Sequence, residues 1–170
     1  VPIFLSRLMA LNVPDAVVAC IGDAPATEIC YGAGIGAPVD LALGGKLDPI
    51  RSRPLPVKGI VKFLLATDEI NERQAVVQVG GVLVIVAQRR RPFHYIEDFT
   101  KLGINVYEHK IVVVKVGYLV PELKAAAAKA FIALSPGSVD QDIERLPFKR
   151  IQRPMYPLDK DMTWSAAESR

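Results

Sequence analysis

Apolar residues run along this chain in short blocks, and the spacing within each block names an element. Pro2 to Leu11 carries a helical period that Asn12 to Asp15 breaks, Pro14 among them. Ala16 to Ile21 is a continuous apolar run of strand length. Asp23 then stands where a helix needs a side-chain acceptor, with Pro25 in the first turn and Glu28 inside. Gly32, Gly34 and Gly36 end that helix, and Val39 to Leu43 alternates so that Asp40 faces water. Gly44-Gly45 turns the chain, and Leu47 to Pro56 reads as a surface loop with three prolines. Val57 to Leu65 places Val57, Gly59, Val61, Phe63 and Leu65 on one face, with Lys58 and Lys62 on the other.

Asp68 to Glu72 is a polar turn. Ala75 to Gln88 holds two apolar strands joined through Gly80-Gly81, which fits an antiparallel hairpin or one long bulged strand. Phe93, Ile96, Phe99 and Leu102 are spaced for a short amphipathic helix that Gly103 stops. Ile111 to Val114 is expected as a central strand, Pro121 opens a helix running to about Lys129, and Phe131 to Leu134 reads as a further strand. Strands alternating with helices, with a block of consecutive strands between, predict an α/β fold: a single domain with a mixed β-sheet flanked by helices. The polar residues 160–170 are expected to fray.

Composition narrows the function classes. At 170 residues and 51% hydrophobic content the chain can bury a core without staples. None of its apolar blocks approaches the roughly 18 residues of a membrane span, so no membrane partner is expected. Net charge is +3, and the basic run Arg89-Arg90-Arg91 ends in Pro92 without aromatic interleaving, which argues against nucleic acid. Two cysteines, Cys20 and Cys30, are too few for a disulfide framework; they read as buried reduced thiols and favour the cytoplasm. The sequence starts inside an apolar stretch and so reads as a piece of a longer protein, with apolar surface on residues 1–11 expected to face another domain.

Candidate chemistry is sparse. The two histidines, His94 and His109, lie apart and lack the spacing of a zinc hydrolase, so no metal ligand and no catalytic residue is assigned. Gly32-Ala-Gly34-Ile-Gly36 follows a helix rather than a strand, which excludes a dinucleotide loop, and Gly44-Gly45-Lys46 lacks the rest of a phosphate loop. Lys115, at the C-terminal end of a strand, is followed by Gly117, Tyr118 and a helix start at Pro121-Glu122, where an α/β sheet places its ligands and anions are favoured. The alternative for the same residues is a lysine that snorkels to solvent and a tyrosine packed on the sheet.

Order and spacing together carry a resemblance. The segments Ala33 to Gly36, Val39 to Lys46, Lys110 to Lys115 and Arg153-Pro154-Met155-Tyr156-Pro157-Leu158-Asp159 resemble the C-terminal part of the MlrC (microcystinase C-like, M81) metallopeptidases, and the likeness covers nearly the whole chain. It implies a bacterial, zinc-dependent parent whose metal ligands belong to an N-terminal domain. This chain would then be non-catalytic and hold no cofactor, and would complete the substrate cleft of that domain. Many relatives read Lys-Ser-x-x-His-Phe where this chain reads Lys115-Val116-Gly117-Tyr118-Leu119, so neither their polar contacts nor their substrate is carried over. The closing segment adds Arg153 and Tyr156 as candidate substrate or interface residues, against the reading that a Pro-fixed tail merely closes the fold. A binding module that homo-oligomerises through exposed apolar surface is the competing expectation.

Overall fold

The strand that organises the fold is β1, Ala16–Gly22, whose apolar run leaves it buried on both faces. In the computed structural model, which describes residues 2–46, 49–50, 52–134 and 141–165, six strands form one mixed sheet in the order β2-β3-β4-β5-β1-β6. The other strands are β2 (Pro38–Leu43), β3 (Leu55–Leu64), β4 (Gln74–Val79), β5 (Val82–Ala87) and β6 (Ile111–Val114). β1 runs parallel to both its neighbours, β5 and β6, whereas β2 to β5 pair antiparallel in succession. The expected α/β class and mixed sheet are therefore the architecture observed.

Helices cover both faces. Leu5 and Leu8 of α1 (Pro2–Ala10) and Ala26 and Cys30 of α2 (Ala24–Ala33) pack on Val18, Leu41, Val61, Val77 and Val84. On the opposite face Phe93, Leu102, Phe99 of α3 (Glu97–Thr100) and Leu123 of α4 (Pro121–Ala126) pack on Val17, Val76 and Ile85. Gly80-Gly81 closes β4 and β5 into a two-residue hairpin, with Gly80 at φ 57°. At Gly81 a Cβ would fall 2.7 Å from the Val13 carbonyl oxygen, so any side chain is excluded there.

Four expectations are corrected. Phe63 and Leu65 do not share a face with Val57 and Val61: an extra residue in β3 between Val61 and Phe63 shifts the register and turns both onto the α3–α4 face. The helix expected over Phe93 to Leu102 forms only at Glu97–Thr100, because the Asp98 carboxylate accepts from the His94 and Tyr95 N–H groups and holds them outside it. The helix from Pro121 stops at Ala126 rather than Lys129; Leu123 is its one buried side chain, and a polyalanine run with nothing to bury gains little from packing. Phe131 to Leu134 forms no strand, which leaves β6 at the edge of the sheet rather than at its centre.

By internal contacts the chain divides at residues 131 and 132. The whole sheet belongs to residues 1–131. The described part of residues 132–170 has one short 3-10 turn, Ile143–Arg145, and no strand. Val1 and parts of the expected loop at 47–56 and tail at 160–170 lie outside the described residues.

Candidate functional site

The C-terminal ends of the parallel strands β5, β1 and β6 form one rim, and its two sides use charge differently. On the side facing α2, Asp23 caps the helix by accepting from the Ala26 N–H at 3.1 Å. Its second oxygen accepts from the Gly44 N–H at 2.8 Å, and Lys46 donates to the first and forms an ion pair with it. The Asp23 side chain is wholly buried. The sequence placed the cap correctly and left Gly44-Gly45-Lys46 as a turn; the buried carboxylate just after β1 is what that turn answers to.

On the other side, Lys115 extends β6 by donating its N–H to the Ala19 carbonyl at 3.1 Å. The next β1 residue, Cys20, directs its thiol to the Arg91 carbonyl at 3.2 Å. Gly22 lets the segment after β5 come close: a Cβ there would lie 2.9 Å from both the Cα and the nitrogen of Arg90. The Arg91 guanidinium is taken up by Glu72 at 2.8 Å. Burial of its surroundings, with the nearby positive charge of Arg90, holds the Lys115 amine below the usual lysine range, and Cys20 acts weakly in the other direction. Burial likewise raises the Cys20 thiol, opposed by the charges of Arg91 and Lys115.

Of the residues singled out in the sequence, Lys115, Gly117 and Tyr118 share this rim and the loop after it. Tyr118 is 72% exposed, so it does not pack on the sheet. Arg153 and Tyr156 belong to the second unit. There Arg153 forms a two-pronged ion pair with Asp159, whose Oδ2 lies 2.5 Å from the Arg153 Nε and also accepts the Met155 N–H at 2.7 Å. This pairing lifts Arg153 above and lowers Asp159 below its ordinary value. Tyr156 lines an open groove of about 490 Å³ with Pro154, Met155, Met162 and Trp164. Sequence reading missed Arg90, whose signal was the basic run at the end of β5, read there only against nucleic acid.

A zinc ion does not fit what is present. Among the described residues no three His, Cys, Asp or Glu side chains converge. His94 is engaged through its backbone N–H with Asp98 and through its ring with Tyr95, and His109 ends the 3-10 turn Val106–Glu108.

Comparison with known proteins places this arrangement. No curated protein matches the chain. A crystal structure from Mesorhizobium sp. BNC1, named a "putative metallopeptidase", superposes with a TM-score of 0.69 at 22% identity over 95% of this chain, a likeness of fold. The chain spans 35% of that protein's length. The family model for the MlrC C-terminus matches residues 1–150, and the chain accordingly belongs to the MlrC C-terminal family.

Proposed function

We propose that this chain is the non-catalytic C-terminal domain of a zinc-dependent MlrC-like peptidase or amidohydrolase, and that it completes the substrate cleft of a metal-bearing N-terminal domain. The observation that carries this reading is the match to a C-terminal family model over 150 residues, in a chain whose described residues bring no metal ligands together. Lys115, Gly117 and Tyr118 would form the cleft wall at the strand ends, where α/β sheets receive ligands. Arg153 and Tyr156 would contribute to the substrate or domain interface.

Mixing experiments test the division of labour. The chain alone is expected to hold no stoichiometric zinc by elemental analysis and to hydrolyse no peptide or amide. Supplied in trans to the zinc-bearing N-terminal portion of a family member, it should raise turnover well above that portion alone. Tight zinc binding with turnover by this chain unaided would overthrow the proposal.

A second reading has one specific observation behind it. Ile3, Phe4 and Leu11 on and beside α1 remain exposed while Leu5 and Leu8 are buried. A self-associating module would cover that surface, and light scattering discriminates: a stable dimer lost on Phe4→Glu supports assembly, and a monomer rejects it.

A further inference from the structure

The second unit carries an apolar groove whose charged neighbours are already paired. Pro154, Met155, Tyr156, Met162 and Trp164 line it together with Gln152, around an open volume of about 490 Å³. Arg153 lies within this run, yet its guanidinium is taken up by Asp159 through two hydrogen bonds, and the same carboxylate accepts the Met155 N–H at 2.7 Å. One ion pair thus fixes the backbone that presents Met155 and Tyr156. Lys160 is paired as well, with Glu144 at 2.8 Å. What remains for a visitor is apolar area: Tyr156 is 73% and Trp164 72% exposed. The described part of this unit holds one 3-10 turn and no strand, so it has no core of its own in which to bury them. A small-molecule site needs polar groups placed to orient its ligand. Aromatic and methionine side chains whose charged neighbours are satisfied suit a protein anchor instead.

We propose that this groove docks the metal-bearing N-terminal domain by taking in one large apolar side chain from it, and that Arg153 is a positioning residue that holds the groove in shape and contacts no substrate. The occupant follows from the family. The match is to a C-terminus, and the greater part of the Mesorhizobium protein lies outside the likeness, which leaves a larger body for the groove to hold. That this body bears the metal rests on the proposed function above.

Trp164 is the chain's one tryptophan, so fluorotryptophan labelling gives a single fluorine resonance that reports on the groove. In the free chain that resonance should carry the solvent isotope shift of a water-exposed indole. The unlabelled N-terminal portion of a family member should move it saturably and abolish the isotope shift. By isothermal titration calorimetry, Tyr156→Ser and Trp164→Ser should each weaken docking by about tenfold or more, the loss of an interface anchor. Arg153→Lys, which keeps the charge and loses the planar fork, should weaken it too. Ile50→Ser, an exposed apolar residue of the first unit, should leave it unchanged. A dispersed amide spectrum confirms that each variant folds. Four results would each overturn the docking site: no saturable shift, an isotope shift already absent in the free chain because its own residues cover the groove, one lost with chain concentration alone because a second copy does, or equal affinity for the groove variants. The proposed function fails separately. Docking through the groove without a gain in turnover removes the shared cleft and leaves the docking site, whereas a gain in turnover with the fluorine resonance unmoved removes the docking site and leaves the shared cleft.

Discussion

Two corners of one sheet edge, a few residues apart along β1, treat charge in opposite ways. At the Asp23 corner a wholly buried carboxylate is satisfied by two backbone N–H groups and a lysine, and it ties α2, the turn after β2 and Lys46 together. At the Lys115 corner Arg90 and Lys115 have no carboxylate partner among the described residues, and Gly22 admits the Arg90 backbone against β1. Charge that is buried and matched holds elements in place; charge exposed at a rim is solvated and contributes little. The difference marks Asp23 as part of the fold, whereas among the described residues no ion pair ties Arg90 or Lys115 into it.

The sharpest way to break this contrast is Asp23→Ala. It removes a helix cap worth about 1 kcal/mol and orphans the buried Gly44 N–H at about 1–3 kcal/mol, so a loss of about 2–4 kcal/mol by urea unfolding is expected. Lys46 is 40% exposed on its side chain and can turn to water, which keeps the cost from rising further. A loss under about 0.5 kcal/mol would show that the corner holds nothing together.

Gly22→Ala tests the other corner through its spacing. The new Cβ would lie 2.9 Å from Arg90 backbone atoms that belong to no flexible side chain, so the strand end must shift. A cost of about 1–3 kcal/mol by urea unfolding follows. A loss under about 0.5 kcal/mol would show that the close approach of Arg90 to β1 is not needed.

How much of this contrast the sequence displays depends on whether a neighbour along the chain or across the sheet supplies the partner. The Asp23 cap was legible because its acceptor role is local, with Pro25 just behind it. Its Lys46 partner was not, because pairing a residue in one loop with a capping residue 23 positions earlier requires knowing that α2 and β2 share a face. Strand identities in 16–87 were legible from period and glycine placement. The β3 face was misjudged at Phe63 because a single inserted residue is invisible to alternation, and β6 was misplaced because its centrality hung on a Phe131–Leu134 strand that does not form. At the candidate site Lys115 was found from its strand end, but Arg90 comes against β1 from the segment after β5, through a close approach at Gly22 that no local pattern announces.

The two cysteines report on the same two sides. Cys30, on α2 beneath the Asp23 side, has its thiol pushed up from 9.0 to about 11 by burial, which leaves roughly a hundredfold less thiolate at neutral pH. Cys20, at the cationic rim, is also raised by burial but is opposed by Arg91 and Lys115. Iodoacetamide labelling followed by mass spectrometry at pH 8 should therefore modify Cys20 before Cys30. The raised Cys30 value also gives a sign: its contribution to stability is fully present below about 9 and is lost as pH rises through about 11. Faster labelling of Cys30 would mean that the α2 face opens more readily than the rim.

The smallest expected effect tests whether the Lys115 side chain is a structural strut. Lys115 carries a lowered amine pKa, first through burial and then through Arg90, so its charged form opposes folding below that value, and the penalty lifts as pH rises through it. Lys115→Met removes a cation that burial and the charge of Arg90 disfavour, and breaks no ion pair among the described residues. Its effect on unfolding at pH 7 should stay within about 0.5 kcal/mol, of either sign. If the substitution cost more than about 1 kcal/mol, the lysine would be holding the edge strand in place, and the two corners would differ only in how their structural charges are arranged. If stability holds, the residue serves the fold through its backbone alone, by the N–H that joins β6 to Ala19.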